Sequence, residues 1–226
     1  MDIRVALDAA AAAADAAQWA GNQLRNAVRR RGAASFAVSG GSTPAQMFAT
    51  LTVVDLPWRE VTVWQVDERI APDGSPDRNA PLLDVFGNVG ATLRLMPVTA
   101  RDLDSAARRY ADGLPTRFDV LHLGLGADGH TASWIPGDPV ADEVQSVAVS
   151  GEYQGTRRMT LTPPVVNGAR HRLVLATGAD KAMAMRGWLL RNEALPIERL
   201  HRSGTVVVLD SAAAGLLPLT TGAVRE

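Results

Sequence analysis

The sequence predicts an α/β fold: a Rossmann-like, mainly parallel sheet with helices on both faces, plus a small antiparallel excursion. Three observations lead there. Short apolar runs rich in β-branched residues recur along the chain, helical stretches fall between many of them, and the runs lack clean in–out alternation. A strand covered on both faces has no solvent side to favour polar residues, so it reads as a continuous apolar run. At 226 residues the chain is long enough to bury one such core. No internal repeat or low-complexity linker divides it, and residues 1–226 are expected to form one domain.

The alanine-rich start reads as a helix over Asp8–Arg31. Asp8 suits the N-cap and Gly32 the stop, and Ala17, Ala20, Leu24 and Val28 share one face. Arg29-Arg30-Arg31 complement the dipole at its end. Asp2, Asp8 and Asp15 interrupt the apolar character that a secretory leader needs. A strand over Ser35–Ser39 then leads into a helix over Ala45–Leu51, and a strand over Val61–Val66 into the charged turn Asp67-Glu68-Arg69. A helix over Asn79–Phe86, a strand over Leu93–Met96 and a helix over Leu103–Asp112 precede the strand Phe118–Leu123. Asp138–Thr156 lacks a helical pattern, which places the antiparallel excursion there, near the strands Ser146–Val149 and Met159–Thr162. The strand Leu173–Thr177, a helix over Asp180–Arg191 and the strand Thr205–Leu209 complete the series.

Composition narrows the function. Apolar residues at 46% and charged residues at 21% are ordinary for a globular protein. A net charge of −1, with one basic triplet at a helix end, argues against nucleic-acid binding. The absence of cysteine excludes disulfides, thiolate metal sites and a cysteine nucleophile, and fits a reducing compartment. No apolar run approaches the ~18 residues of a membrane span. A cytoplasmic protein without membrane or nucleic-acid partners is expected, as a monomer or weak homodimer.

Chemistry concentrates at four strand ends, which a parallel sheet brings to one edge. After the first predicted strand, Ser39-Gly40-Gly41-Ser42-Thr43-Pro44 places paired glycines and hydroxyls at a helix start, where free amides and the dipole suit a phosphate. Asp67-Glu68-Arg69 sets three charges directly after a buried strand, and Arg69 suits an oxyanion or an anionic group. Gly124-Leu-Gly-Ala-Asp-Gly-His130 presents Asp128 and His130 two residues apart, a carboxylate and a base whose ordinary pKa of about 6.5 suits proton transfer. Its glycines also spell the dinucleotide fingerprint, but Pro136, Gly137 and Pro139 leave no room for the helix that motif requires. Lys181, the only lysine of the chain, follows Thr177-Gly178-Ala179-Asp180. A cation at a helix start opposes the dipole, which favours an anionic partner. Arg157 and Arg158 offer a planar fork for the same anion.

His122, His171 and His201 are expected to satisfy loop carbonyls, and Trp19, Trp58, Trp64, Trp134 and Trp188 to pack. No second histidine stands at ligand spacing from His130, so no metal is expected. Neither Ser42 nor Ser133 sits in the nucleophile elbow of a serine hydrolase.

Taken together, the chain resembles the family that joins 6-phosphogluconolactonase and glucosamine-6-phosphate deaminase. The resemblance rests on Ser39–Pro44, Trp64-Gln-Val-Asp-Glu-Arg69, Gly124–Ser133, Arg158-Met-Thr-Leu-Thr162 and Thr177–Lys181, in family order. The deaminase branch carries a glutamate five residues after the loop histidine, where this chain has Ile135, and tends to have a tyrosine in place of Arg69. The resemblance therefore implies the lactonase branch: hydrolysis of 6-phospho-D-glucono-1,5-lactone, without a metal or organic cofactor. It implies His130 as base, Asp128 as its orienter, Arg69 as charge stabiliser, and Gly40, Gly41, Ser42, Asp67, Arg158 and Lys181 in phosphate and substrate binding. It chooses Arg158 over Arg157. Ala71, Arg78, Trp134 and Ile135 depart from the family pattern beside the expected site. A deaminase-like isomerase and a non-catalytic sugar-phosphate sensor are the alternatives; the sensor would not need His130.

Overall fold

The protein is described by a computed structural model covering residues 1–218, with Ser42 described by its backbone only. Strand β1 (Asp2–Ala6) precedes the 23-residue helix α1 (Ala9–Arg31). This helix starts where Asp8 Oδ1 accepts the Ala11 amide at 2.8 Å. It stops at Gly32, whose φ of +79° turns its N–H back to Val28 O. Then come β2 (Ala34–Val38), α2 (Ser42–Thr52), β3 (Val61–Gln65) and β4 (Asp67–Arg69). They are followed by α3 (Asp84–Asn88), β5 (Thr92–Arg94), α4 (Leu103–Asp112) and β6 (Val120–Leu123). The remainder is β7 (Val147–Val149), β8 (Arg158–Leu161), α5 (Pro163–Gly168), β9 (His171–Ala176), α6 (Ala182–Leu189) and β10 (Thr205–Asp210).

Seven strands make one parallel sheet in the order β1-β10-β9-β6-β2-β3-β5. From β2 the chain moves outward through β3 and β5, then returns to lay β6 on the other side of β2. That reversal opens a crevice beyond the carboxyl ends of β2 and β6, where ligands bind in such sheets. Successive residues of the central strands enter opposite cores. Leu173 and Leu175 of β9 pack beneath α1 and α2, while Val174 and Ala176 pack against the core that holds Trp134 and Trp188. Burial on both faces is why the strands show no polar alternation. Of the face expected on α1, Ala17, Ala20 and Leu24 are buried and Val28 is partly buried; Ala12, Ala13 and Ala16 extend the buried stripe, and all five tryptophans are buried. Small residues let helices approach closely: a Cβ on Gly21 would stand 3.3 Å from the Leu51 side chain on α2.

The second sheet, β4-β8-β7, is antiparallel and is the expected excursion. It also corrects a reading, because Asp67-Glu68-Arg69 is a strand rather than a turn, paired residue by residue with Thr160, Met159 and Arg158. Two carboxylates tolerate that buried strand because both are satisfied. Asp67 Oδ2 accepts the Ser133 hydroxyl at 2.8 Å. Glu68 accepts from Gln65 Nε2 and from the amides of Arg69, Asn79 and Ala80, and pairs with Arg78 Nε at 3.1 Å. Glu68 thereby shapes the next segment, where the expected helix over Asn79–Phe86 is a 3₁₀ turn at Ala80–Leu83 followed by α3. Likewise, the helix expected over Asp180–Arg191 begins as a 3₁₀ turn at Ala179–Lys181 and is α-helical only over α6. Strand β1 and helix α5 were not expected.

Candidate active site

The loops after β2, β6 and β9, with strands β4 and β8, surround a cavity of about 200 Å³. The loop after β2 brings Ser39, Gly40 and Gly41 to it. Gly40 has no room for a side chain, since a Cβ would fall 2.1 Å from Asn79 Oδ1. Gly41, at φ +120°, leads into α2 without a side-chain cap, which leaves the first amides of that helix for a ligand. The Ser39 hydroxyl is buried with no partner among the described residues. Thr43 Oγ1 lies 3.2 Å from Thr177 Oγ1 and ties this loop to the one after β9.

The loop after β6 folds tightly on itself. Gly126 N–H donates to His130 O, and Gly129 N–H to Gly126 O. His130 Nδ1 lies 2.6 Å from Asp128 Oδ1. With this carboxylate as its acceptor Nδ1 carries the proton, and Nε2, which has no protein partner among the described residues, is left as the basic nitrogen. The pair requires glycine at 126, because a Cβ there would lie 2.1 Å from His130 Nδ1 and 2.6 Å from Asp128 Oδ1. Asp128 Oδ2 accepts the Tyr153 hydroxyl at 2.8 Å. Burial alone would raise the Asp128 carboxyl, but the Tyr153 hydroxyl and the His130 ring outweigh it and hold the group below its ordinary value. His130 lines the cavity, with Asp128 behind it.

The cations stand on the remaining walls. Arg69 Nη1 donates to Asp77 O at 2.7 Å and Asn79 Oδ1 at 2.9 Å. Arg158 is 5% exposed, and its guanidinium makes no hydrogen bond to the described protein. Burial pulls it below its ordinary value, against the pull of Asp67. Lys181 Nζ lies 2.8 Å from the exposed carboxylate of Asp180, a surface pairing of little net strength that an anion can displace. Gly178 N–H, held by both carboxylate oxygens of Asp210, fixes this last loop. Three cations against Asp67, itself engaged by Ser133, give the cavity a positive balance suited to an anionic ligand.

A family model described as glucosamine-6-phosphate isomerases/6-phosphogluconolactonase matches residues 7–208. The chain belongs to this family. Among relatives, it is 33% identical over 189 residues to a 6-phosphogluconolactonase of Synechocystis sp., covering 77% of this chain and 78% of that one. It is 34% identical over 194 residues to a 6-phosphogluconolactonase of Mesorhizobium japonicum, covering 78% and 80%. The crystal structure of a 6-phosphogluconolactonase from Shewanella baltica superposes with a TM-score of 0.85 at 26% identity, covering 93% of this chain and 97% of that chain.

Within this glucosamine-6-phosphate isomerase/6-phosphogluconolactonase chain, the structure brings Gly40, Gly41, Asp67, Arg69, His130, Arg158 and Lys181 to one cavity. Ser42 opens α2 beside it, with its side chain outside the described residues. Arg158 lines the cavity, whereas Arg157 turns to Ser150 O. None of the four departures from the family pattern, at Ala71, Arg78, Trp134 and Ile135, lines the cavity. Arg78 is buried against Glu68, Trp134 donates to Leu161 O, and Ile135 is buried off the cavity. Ser133 is fully buried and donates to Asp67. Sequence reasoning missed Asn79, which braces Arg69, and Tyr153, which braces Asp128. The reading of His122 needs correction. It satisfies no carbonyl: neither ring nitrogen has a partner among the described residues, the ring packs edge-on to Phe48, and burial pushes its pKa down to about 3. His171 likewise packs edge-on against Trp19 rather than bonding a loop carbonyl.

Proposed function

We propose that this chain hydrolyses 6-phospho-D-glucono-1,5-lactone to 6-phospho-D-gluconate, the second step of the oxidative pentose phosphate pathway. The observation that carries the reading is the His130–Asp128 pair at a cavity whose other walls hold Arg158, Arg69 and Lys181. His130 Nε2 takes a proton from water as the water oxygen attacks the lactone carbonyl, and Asp128 stabilises the imidazolium that forms. Arg69 faces the negative charge on the tetrahedral intermediate. When that intermediate collapses, the ring C–O bond breaks and His130 returns the proton to the departing ring oxygen, leaving the open-chain acid. Arg158, Lys181 and the amides after Gly40 and Gly41 hold the 6-phosphate, and Asp67 contributes to substrate binding. A deaminase needs a further acid–base group for its carbon-acid step, and buried Ile135 supplies none.

The test is hydrolysis of freshly generated lactone, read by coupled oxidation of the 6-phosphogluconate formed and corrected for spontaneous opening. A rate well above the enzyme-free blank that disappears in His130→Ala is expected. No excess over the blank, or ammonia release from glucosamine 6-phosphate instead, would overturn the assignment. Tight sugar-phosphate binding without turnover would mark a sensor.

A further inference from the structure

The hairpin between β7 and β8 ends in a two-residue turn, Gln154-Gly155, with φ of +52° and +81°. Positive φ at both central positions defines the tightest hairpin turn whose twist matches its flanking strands. Tyr153 and Thr156 close it with two backbone hydrogen bonds of 3.0 and 3.3 Å. Ser150 anchors its base, its N–H donating to Arg158 O and its hydroxyl accepting from Arg158 N–H. Such a turn holds its flanking side chains in fixed directions.

Tyr153 is half-buried, yet it belongs to neither hydrophobic core. Its contacts are with the site instead. The hydroxyl donates to Asp128 Oδ2 at 2.8 Å, the ring meets the His130 ring edge-on with centroids 5.4 Å apart, and the Arg158 guanidinium lies 5.0 Å from the ring centroid. Packing alone does not account for a tyrosine that meets the base, its orienter and the buried cation together. Resting on the lactonase reading above, we propose that Tyr153 is a positioning residue whose hydroxyl fixes the Asp128 carboxylate against His130 while its ring seats Arg158 for the anionic end of the substrate. An aspartate that is about a third exposed rotates and exchanges with water unless both oxygens are engaged. His130 engages one oxygen and Tyr153 the other, so the hydroxyl selects the rotamer that keeps the imidazole aimed at the cavity. The ring offers Arg158 a π face in place of a hydrogen-bond acceptor, which leaves the N–H groups of the guanidinium for a ligand.

The two halves of the proposal separate by substitution. Tyr153→Phe keeps the ring and removes the hydroxyl. It is expected to lower kcat about tenfold, the effect of losing one hydrogen bond to a charged group, with KM nearly unchanged. Its acid limb moves to higher pH, because a carboxylate that no longer shares its charge with the hydroxyl holds the imidazolium more tightly. Arg158 acts on Asp128, and Asp67 and Arg69 line the same cavity as His130; all three are present in every variant, so the displaced limb reports on the hydroxyl. Tyr153→Ala removes the ring as well and is expected to raise KM in addition. A readout independent of turnover is ¹⁵N NMR of the His130 ring, assigned against His130→Ala. The wild type is expected to hold the proton on Nδ1, and Tyr153→Phe to show a mixed or faster-exchanging tautomer. Wild-type kcat, pH profile and ring spectrum in Tyr153→Phe would overturn the proposal, as would a fall in kcat that leaves the profile and spectrum unmoved. If wild-type protein fails to open the lactone, the functional reading falls, while the ring spectrum still decides the role of Tyr153.

Discussion

At the amino end of β6, Asp119 is buried and saturated: Arg31 and Arg170 pair with one oxygen, while the Ser35 amide and hydroxyl bond the other. At the carboxyl end, the buried Arg158 guanidinium has no hydrogen-bond partner among the described residues, and His130 Nε2 is equally free there. An unpaired buried cation costs stability, and Arg158 stands on the cavity wall, where a ligand can complete it. Asp119 is fully paired at the end that holds the sheet together, while the free guanidinium and imidazole nitrogens at the other end face the cavity.

Substitutions at the two ends should therefore fail in different ways. The largest effect is expected at His130, where alanine lowers kcat about 10²–10⁴-fold without lowering the urea midpoint. A smaller kinetic effect is expected at Arg158. Glutamine there should raise KM about 10–100-fold and leave stability equal or improved, since the variant no longer buries an unpaired cation. A destabilised Arg158→Gln protein would break the comparison. Asp119→Ala should do the converse, costing about 1–3 kcal/mol in denaturant titration with kcat and KM unchanged.

An effect absent at neutral pH sharpens the comparison in acid. His122 is held down at about 3 by burial, whereas an imidazole in the unfolded chain protonates near 6.5. Its contribution to stability is therefore fully present above pH 6.5 and is lost progressively as pH falls from there towards 3. His122→Leu, which fills the same apolar space, should flatten the decline by up to about 1.4 kcal/mol per pH unit. Urea midpoints measured across that interval check it.

The features of this division that were legible in the sequence are those written in local chemistry. Asp8 and Gly32 bracket α1 because a cap and a left-handed stop are single-residue decisions. The glycine loops before Ser42 and His130 were equally readable, because close backbone approach demands glycine wherever it occurs. What escaped depends on distant partners. Asp67-Glu68-Arg69 looks like a turn until Ser133, Asn79 and Arg78 are seen to neutralise it. Strand β1 is a five-residue edge strand whose neighbour in the sheet, β10, comes from the far end of the sequence. Tyr153 meets Asp128 across 25 residues, and no spacing rule announces such a pair. The turn that presents it, Gln154-Gly155, lacks the Asn-Gly or Asp-Gly signature that announces such hairpins.

Val66 stands between β3 and β4 and serves both sheets, its N–H donating to Val38 O and its carbonyl accepting from Leu161 N–H, each at 2.8 Å. Val38 runs directly into the Gly40-Gly41 loop, and Leu161 ends the strand that carries Arg158. One residue's peptide groups thus act as a gauge block between the glycine wall and the arginine wall. Altering the lining side chains would change how firmly a ligand is held. The spacing of these two walls, by contrast, is a dimension of the backbone, set by the β-ladders on either side of Val66.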